Sequence, residues 1–128
     1  MSGTSAQYAV GKAFHSALAE ADWNGLRALL HDDVAWTLPG DSAISGTAQG
    51  PDEVAGLARR IAGYGLRFEL LHILVSRDNV ALSLHNTARR DDSVLDEHVA
   101  TVLALRDGKV ARIESFLSDV DGVNAFFV

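Results

Sequence analysis

The 128-residue sequence contains no cysteine and only two prolines. The absence of cysteine excludes disulfide bonds, thiolate nucleophiles, and zinc or iron–sulfur sites built on cysteine. No apolar run approaches the ~20 residues that a transmembrane helix needs, and the first residues lack the basic and apolar regions of a signal peptide. We therefore expect a cytoplasmic protein that does not enter a membrane.

Positive charge is also scarce. The formal net charge is −6 at pH 7, from 11 lysines and arginines against 17 aspartates and glutamates. Such a surface repels phosphate backbones, which argues against nucleic-acid binding. Hydrophobic residues make up 48% of the chain and charged residues 22%, which is typical of a globular protein. A chain of this length predicts a single domain over residues 1–128.

The order of the hydrophobic periodicities predicts the fold class. Helical spacing comes first, and strand-like alternation fills the second half of the chain. The predicted helices span residues 4–20, 22–30 and 50–63, with one turn at 121–127. The predicted strands span residues 34–38, 66–76, 80–90, 94–106 and 109–118, and residues 39–50 are predicted to be a loop. Because short connections force antiparallel neighbours, we expect an α+β domain with a concave sheet and a small-molecule pocket.

Several segments resemble the SnoaL-like branch of the nuclear transport factor 2-like superfamily, which also contains ketosteroid isomerase and limonene epoxide hydrolase. The resemblance covers residues 6–127. Its carrying segments are FHSALAEADW (14–23), LLHDDVAW (29–36), SGTAQG (45–50), HNTARR (85–90) and VLALRDGKV (102–110). It implies a cone-shaped half-barrel, with N-terminal helices packed on a curved, mainly antiparallel sheet, a deep pocket, and a homodimer formed through the sheet.

The sequence departs from the catalytic patterns of these two enzymes. By this resemblance, the proton-donating tyrosine of ketosteroid isomerase falls at Phe14, its general-base aspartate at Leu38, and its second acid near residues 100–101. The Asp–Arg–Asp relay of the epoxide hydrolases falls on residues 84–86 and Ser115, which do not preserve it. The resemblance therefore argues against ketosteroid isomerase chemistry and leaves the reaction open.

Five polar side chains are candidates for acid/base catalysis. His85 and His98 lie at comparable heights on adjacent predicted strands, and Asp96 shares a face with His98. A carboxylate beside an imidazole can fix its tautomer, and a histidine can act as a base near neutral pH. Glu114 and Asp119 lie at the last strand, and Asp119 is nearest to the acid that SnoaL-type polyketide cyclases use as a base. Each candidate could instead belong to a solvated strand face.

Apolar and aromatic side chains complete the predicted site. The residues predicted to line the substrate pocket are Phe14, Trp36, Leu38, His72 and Phe116. His85, His98 and Asp96 match a metal site in ligand type and number, but the sequence has no HxH or HxxxH spacing, so no metal is expected. No phosphate-binding loop or dinucleotide fingerprint is present, so no cofactor is expected.

These features predict a cofactor-independent enzyme that acts on a small hydrophobic or polyketide-like molecule. The reaction would be acid/base cyclisation or isomerisation, or epoxide opening. The alternative is a non-catalytic protein that binds a small apolar ligand, and a third possibility is a dimerisation domain whose pocket its own side chains fill. A slip of one residue in a strand moves every candidate side chain to the other face of the sheet. Which residues of each strand face the pocket therefore decides between these three functions.

Overall fold

A computed structural model of the chain describes residues 3–128. The described part contains four helices and six strands. In chain order they are α1 (Gly3–Glu20), α2 (Trp23–Ala28), β1 (Leu30–Leu38), β2 (Gly46–Gln49), α3 (Gly50–Ala62), β3 (Arg67–Ser76), β4 (Asn79–Arg90), β5 (Ser93–Arg106), β6 (Lys109–Leu117) and α4 (Val120–Phe126). The helices lie against one face of a single curved sheet, which confirms the predicted α+β class. No helix in this range is long and apolar enough to cross a bilayer.

The six strands are arranged in the order β2-β1-β6-β5-β4-β3. Strands β3 to β6 form the predicted antiparallel meander. The last hairpin turns at Asp107 and Gly108, whose φ angles of 54° and 79° are both in the left-handed region. A two-residue turn of this type follows the right-handed twist of the strands, which is why Asp-Gly is favoured there.

Alternating burial along β4 and β5 defines the two faces of the sheet. One residue in two points towards the helices and is buried, beginning with Val80 on β4 and Leu95 on β5. We call this side the inner face and the opposite side the outer face. Phe14 of α1, which is fully buried, packs over the inner face and contacts the Trp36 ring edge-on. Burial of these apolar side chains is the main stabilising contribution to the domain.

The first half of the sheet differs from the prediction in two places. Strand β1 begins at Leu30 rather than at residue 34, because Leu30 already pairs with Val110 of β6 in a parallel ladder that shifts register before Ala35. Residues 46–49 form β2, which pairs antiparallel with β1, where the sequence predicts a loop. This edge strand is mostly exposed and carries small and polar side chains, so it lacks the apolar alternation that identifies a strand.

Candidate functional site

A cavity of about 50 Å³ lies between the inner face of the sheet and the helices. One water molecule needs about 10–15 Å³, so the cavity accommodates a few non-hydrogen atoms before any side chain moves. Its apolar lining consists of Phe14, Leu18, Trp36, Leu38, Ile44, Ala58, Ile61, Leu66, Phe68, Leu84, Leu95, Val99, Leu117, Val123 and Phe127. Its polar lining consists of Asn86, Glu97, Thr101 and Ser115. Few polar groups in an apolar cavity are typical of a small-molecule site.

Glu97 is the only carboxylate on the described cavity wall, and its residue is 2% exposed. It points inwards because it shares the alternation of its apolar neighbours on β5. Its Oε1 atom accepts hydrogen bonds from the Ser118 hydroxyl at 2.7 Å and from the backbone N–H of Asp119 at 2.9 Å. These bonds offset part of the cost of burying the carboxylate. No described residue hydrogen-bonds to Oε2, which leaves that atom for a bound molecule.

Asn86 lies directly opposite Glu97 in the β4–β5 pairing, and both line the cavity. The residue is 8% exposed, and its Oδ1 atom is buried with no hydrogen-bond partner among residues 3–128. An unpaired buried acceptor costs about 1–3 kcal/mol. A ligand that donates a hydrogen bond to this oxygen would offset that cost.

Three further side chains connect strands β1, β6 and β5 across the cavity wall. The Trp36 Nε1–H donates to the Ser115 hydroxyl at 3.0 Å, and the hydroxyls of Ser115 and Thr101 are also 3.0 Å apart. Hydroxyl protons rotate to suit their partners. The Thr101–Ser115 pair can therefore reorient towards a polar atom of a ligand.

The structure places three of the predicted pocket residues on the cavity wall, namely Phe14, Trp36 and Leu38. It places Phe116 and His72 on the outer face, which corrects the expectation for both. Phe116 is 52% exposed because it lies between two inward-facing residues of β6. His72 follows a register shift in β3 and pairs with Ser83 of the outer face.

The predicted grouping of His85, His98 and Asp96 is present, but it lies on the outer face and not in the cavity. His85 and His98 are cross-strand partners, and their rings stack with centroids 4.5 Å apart and planes inclined by 7°. His85 Nε2 lies 2.6 Å from Asp96 Oδ1, and this hydrogen bond raises the pKa of His85 above its ordinary value. Because strand side chains alternate, the inward position of Asn86 requires the outward position of His85.

Glu114 and Asp119 also lie outside the cavity lining. Glu114 is exposed on the outer face of β6. The Asp119 carboxylate is the N-cap of α4 and accepts a hydrogen bond from the Gly122 N–H at 3.0 Å. Its backbone N–H donates to Glu97, so Asp119 positions the cavity carboxylate through the main chain.

The sequence reasoning missed the polar residues of the cavity wall by one position. Asn86 follows the candidate His85, and Glu97 lies between the candidates Asp96 and His98. A usable signal was present, because Glu97 is in phase with the apolar residues Leu95 and Val99.

Comparison with known proteins agrees with this fold. The sequence profile of the SnoaL-like domain matches residues 11–113. No curated protein matches the sequence. Among solved structures, Bal32a from a soil-derived mobile gene cassette is 25% identical, with a TM-score of 0.91 over 97% of this chain and 98% of that chain. A nuclear transport factor 2-like protein from Burkholderia xenovorans is 19% identical, with a TM-score of 0.83 over 97% of both chains.

A protein from Catenulispora acidiphila with a ketosteroid isomerase-like fold, in complex with trimethylamine, is 17% identical, with a TM-score of 0.74 over 92% of this chain and 91% of that chain. These structures show that the chain has the nuclear transport factor 2-like fold. The profile match covers most of the sequence, from residue 11 to residue 113. The chain therefore belongs to the SnoaL-like domain family.

Proposed function

We propose that this protein is a cofactor-independent enzyme that performs acid/base chemistry on a small apolar molecule held in the cavity. One observation carries the proposal: a buried carboxylate, Glu97, lies opposite a buried amide, Asn86, in an otherwise apolar cavity. A base and a hydrogen-bonding group in a dry cavity are the minimum that proton abstraction next to a carbonyl requires.

In the proposed reaction, Glu97 Oε2 removes a proton from the carbon next to a carbonyl group. The electron pair of the broken C–H bond forms a C=C bond, and the carbonyl π electrons move onto oxygen, where the Asn86 amide N–H stabilises the charge. If the substrate has a C=C bond between its β- and γ-carbons, return of the proton from Glu97 to the γ-carbon shifts that bond to the α,β position, re-forms the C=O bond and gives an isomerised product. Alternatively, the carbanion attacks a second carbonyl of the same molecule: the new C–C bond breaks the π bond of that carbonyl, its oxygen takes the proton from Glu97, and the first C=O bond re-forms to give a cyclised product.

Epoxide opening is compatible with the same residues. Glu97 would accept a proton from water while the water oxygen forms a bond to an epoxide carbon, and the breaking C–O bond would leave its electrons on oxygen. The Thr101–Ser115 hydroxyl pair is the donor available to that oxygen. Both reactions place the proton transfer at Glu97.

The alternative function is non-catalytic binding of a small apolar ligand. The predominance of apolar side chains in the lining favours it, because apolar contact alone can retain a ligand without any chemistry. In that case Glu97 and Asn86 would only orient the ligand.

Deuterium exchange distinguishes the two functions. We expect the protein to accelerate incorporation of deuterium next to the carbonyl of small cyclic ketones, such as cyclopentanone and 2-cyclohexenone, in D₂O, as followed by proton NMR. Binding is measured in parallel by Trp36 fluorescence in a Trp23→Phe variant, which leaves one tryptophan in the chain. Quenching without exchange across the ketone series would support the binding protein and contradict an enzyme that removes a proton next to a carbonyl.

We also propose that two copies of the chain pair through the outer face, as the family resemblance implies. Exposed apolar side chains lie on this face: Leu74 of β3 shares a row with Val102 and Glu114, and Phe116 of β6 shares the next row with Ala100 and His72. Large exposed apolar side chains on a sheet face can form part of a protein–protein interface.

Phe116→Glu is therefore expected to convert a dimer into a monomer, because it would bury a charge against the partner copy. Light scattering coupled to size-exclusion chromatography measures the mass. Tyr8→Glu is the matched control, since Tyr8 is also an exposed aromatic residue but lies on α1. A monomeric wild-type protein would contradict the proposal.

A further inference from the structure

Three side chains with metal-binding atoms converge on the outer face, outside the cavity. His85 and His98 are cross-strand partners, and Asp96 lies two residues before His98 on the same face. One ligand atom from each residue lies within 4.8 Å of the other two. Tetrahedral ligands at the usual zinc distances are roughly 3.3 Å apart. The two imidazole rings are stacked, so they would have to tilt towards each other to bring the three ligand atoms around an ion.

A fourth residue orients the central histidine. Glu69 of β3 is the direct partner of His85 in the β3–β4 ladder, and its Oε1 lies 3.5 Å from His85 Nδ1. The other ring nitrogen, Nε2, is the one beside Asp96. Metal-binding histidines usually donate their second N–H to a carboxylate, which fixes the tautomer that leaves the first nitrogen free. Glu69 is placed to do this for His85.

Two carboxylates lie beside His85. Within residues 3–128, Glu69 and Asp96 each form an ion pair with His85, and neither pairs with a lysine or arginine. Two carboxylates therefore share one imidazole. A divalent ion would take the place of the proton between His85 and Asp96 and neutralise the excess negative charge.

We propose that His85, His98 and Asp96 bind a divalent transition-metal ion, with Glu69 as a positioning residue for His85. Imidazole nitrogens combined with a carboxylate suit Zn²⁺, Ni²⁺ or Cu²⁺ and not Mg²⁺ or Ca²⁺, which take oxygen ligands. In the single chain the Asp96 side chain is 71% exposed and that of His85 28%, so an ion can reach the site before two copies pair through this face. This site does not depend on the proposed catalytic function, because no residue is shared between them.

Titration of the full, untagged chain with Zn²⁺ by isothermal calorimetry tests the proposal. We expect one strong site per chain. His98→Asn should weaken the affinity for Zn²⁺ at least 10-fold, because it removes one of the three side chains that bind the metal directly. Glu69→Gln should weaken it by a smaller factor, since the amide holds the His85 tautomer less firmly.

His72→Asn is the matched control, because His72 is also exposed on the outer face but lies outside the cluster. Its affinity for Zn²⁺ should equal that of the wild type. Electron paramagnetic resonance with Cu²⁺ gives a second readout, with two coordinated imidazole nitrogens in the wild type and one in His98→Asn. Absence of a strong site in the wild type, or equal affinities of His98→Asn and His72→Asn, would overturn the proposal.

Discussion

Glu97→Gln is expected to slow deuterium exchange of the ketone probes by about 1,000-fold, the usual contribution of a general base. The glutamine amide has nearly the same shape, and its oxygen can still accept hydrogen bonds from Ser118 and the backbone of Asp119. It cannot take up a proton at neutral pH. We therefore expect Trp36 quenching by the same ketones to persist while exchange falls to the rate in buffer.

Two variants control for the loss of a carboxylate as such. Glu114→Gln makes the same substitution on the outer face of β6 and should leave exchange unchanged. Asp119→Asn should also retain activity, because asparagine caps a helix about as well as aspartate and the backbone N–H that holds Glu97 is unaltered. Full exchange in Glu97→Gln would contradict our assignment. Loss of exchange in Asp119→Asn would restore Asp119 as the base.

Asn86→Leu is expected to stabilise the fold and to weaken ligand binding at the same time. The substitution removes a buried amide oxygen that has no partner within the described chain, and it places an apolar side chain of similar size among Leu84 and Leu95. Replacing an unpaired buried polar group with an apolar one should raise the free energy of unfolding by about 1 kcal/mol. Urea denaturation measures that change, and Trp36 quenching measures the loss of affinity.

Thr87→Leu is the matched control for this experiment. Thr87 is the next residue of β4 and points to the outer face, so the same leucine should change the free energy of unfolding by less than about 0.5 kcal/mol. If Asn86→Leu lowers the free energy of unfolding instead, the amide makes a stabilising interaction in the unliganded protein and is not held ready for a ligand.

The antiparallel half of the fold could be predicted from the sequence because it depends on local signals. Hairpin turns such as Asp107–Gly108 are short, so the strands that they join have no alternative but to pair. Strand β2 could not be predicted, because its pairing with β1 comes from tertiary contact and not from its own side chains. The parallel contact between β1 and β6 depends in the same way on the assembled sheet.

The site was harder to predict because polar residues occupy both faces of the sheet at the same height. Residues 96–98 are three titratable side chains in succession, so polarity alone does not identify the inward one. Burial identifies the inward residue, because Glu97 alternates along β5 with the buried residues Leu95 and Val99 and points to the same face as they do. Histidine is a common catalytic residue, but His85 and His98 both lie on the outer face and not in the cavity.

The parallel pairing of β1 with β6 has a consequence for synthesis of the chain. The apolar side chains of β1, including Trp36, leave the ribosome long before residues 110–114 that pair with this strand. Until then, β1 has only the short edge strand β2 and the helices to cover it. Unpaired apolar strands favour aggregation. We therefore expect the partly synthesised chain to be prone to aggregation until about residue 115 has emerged and β6 can pair with β1.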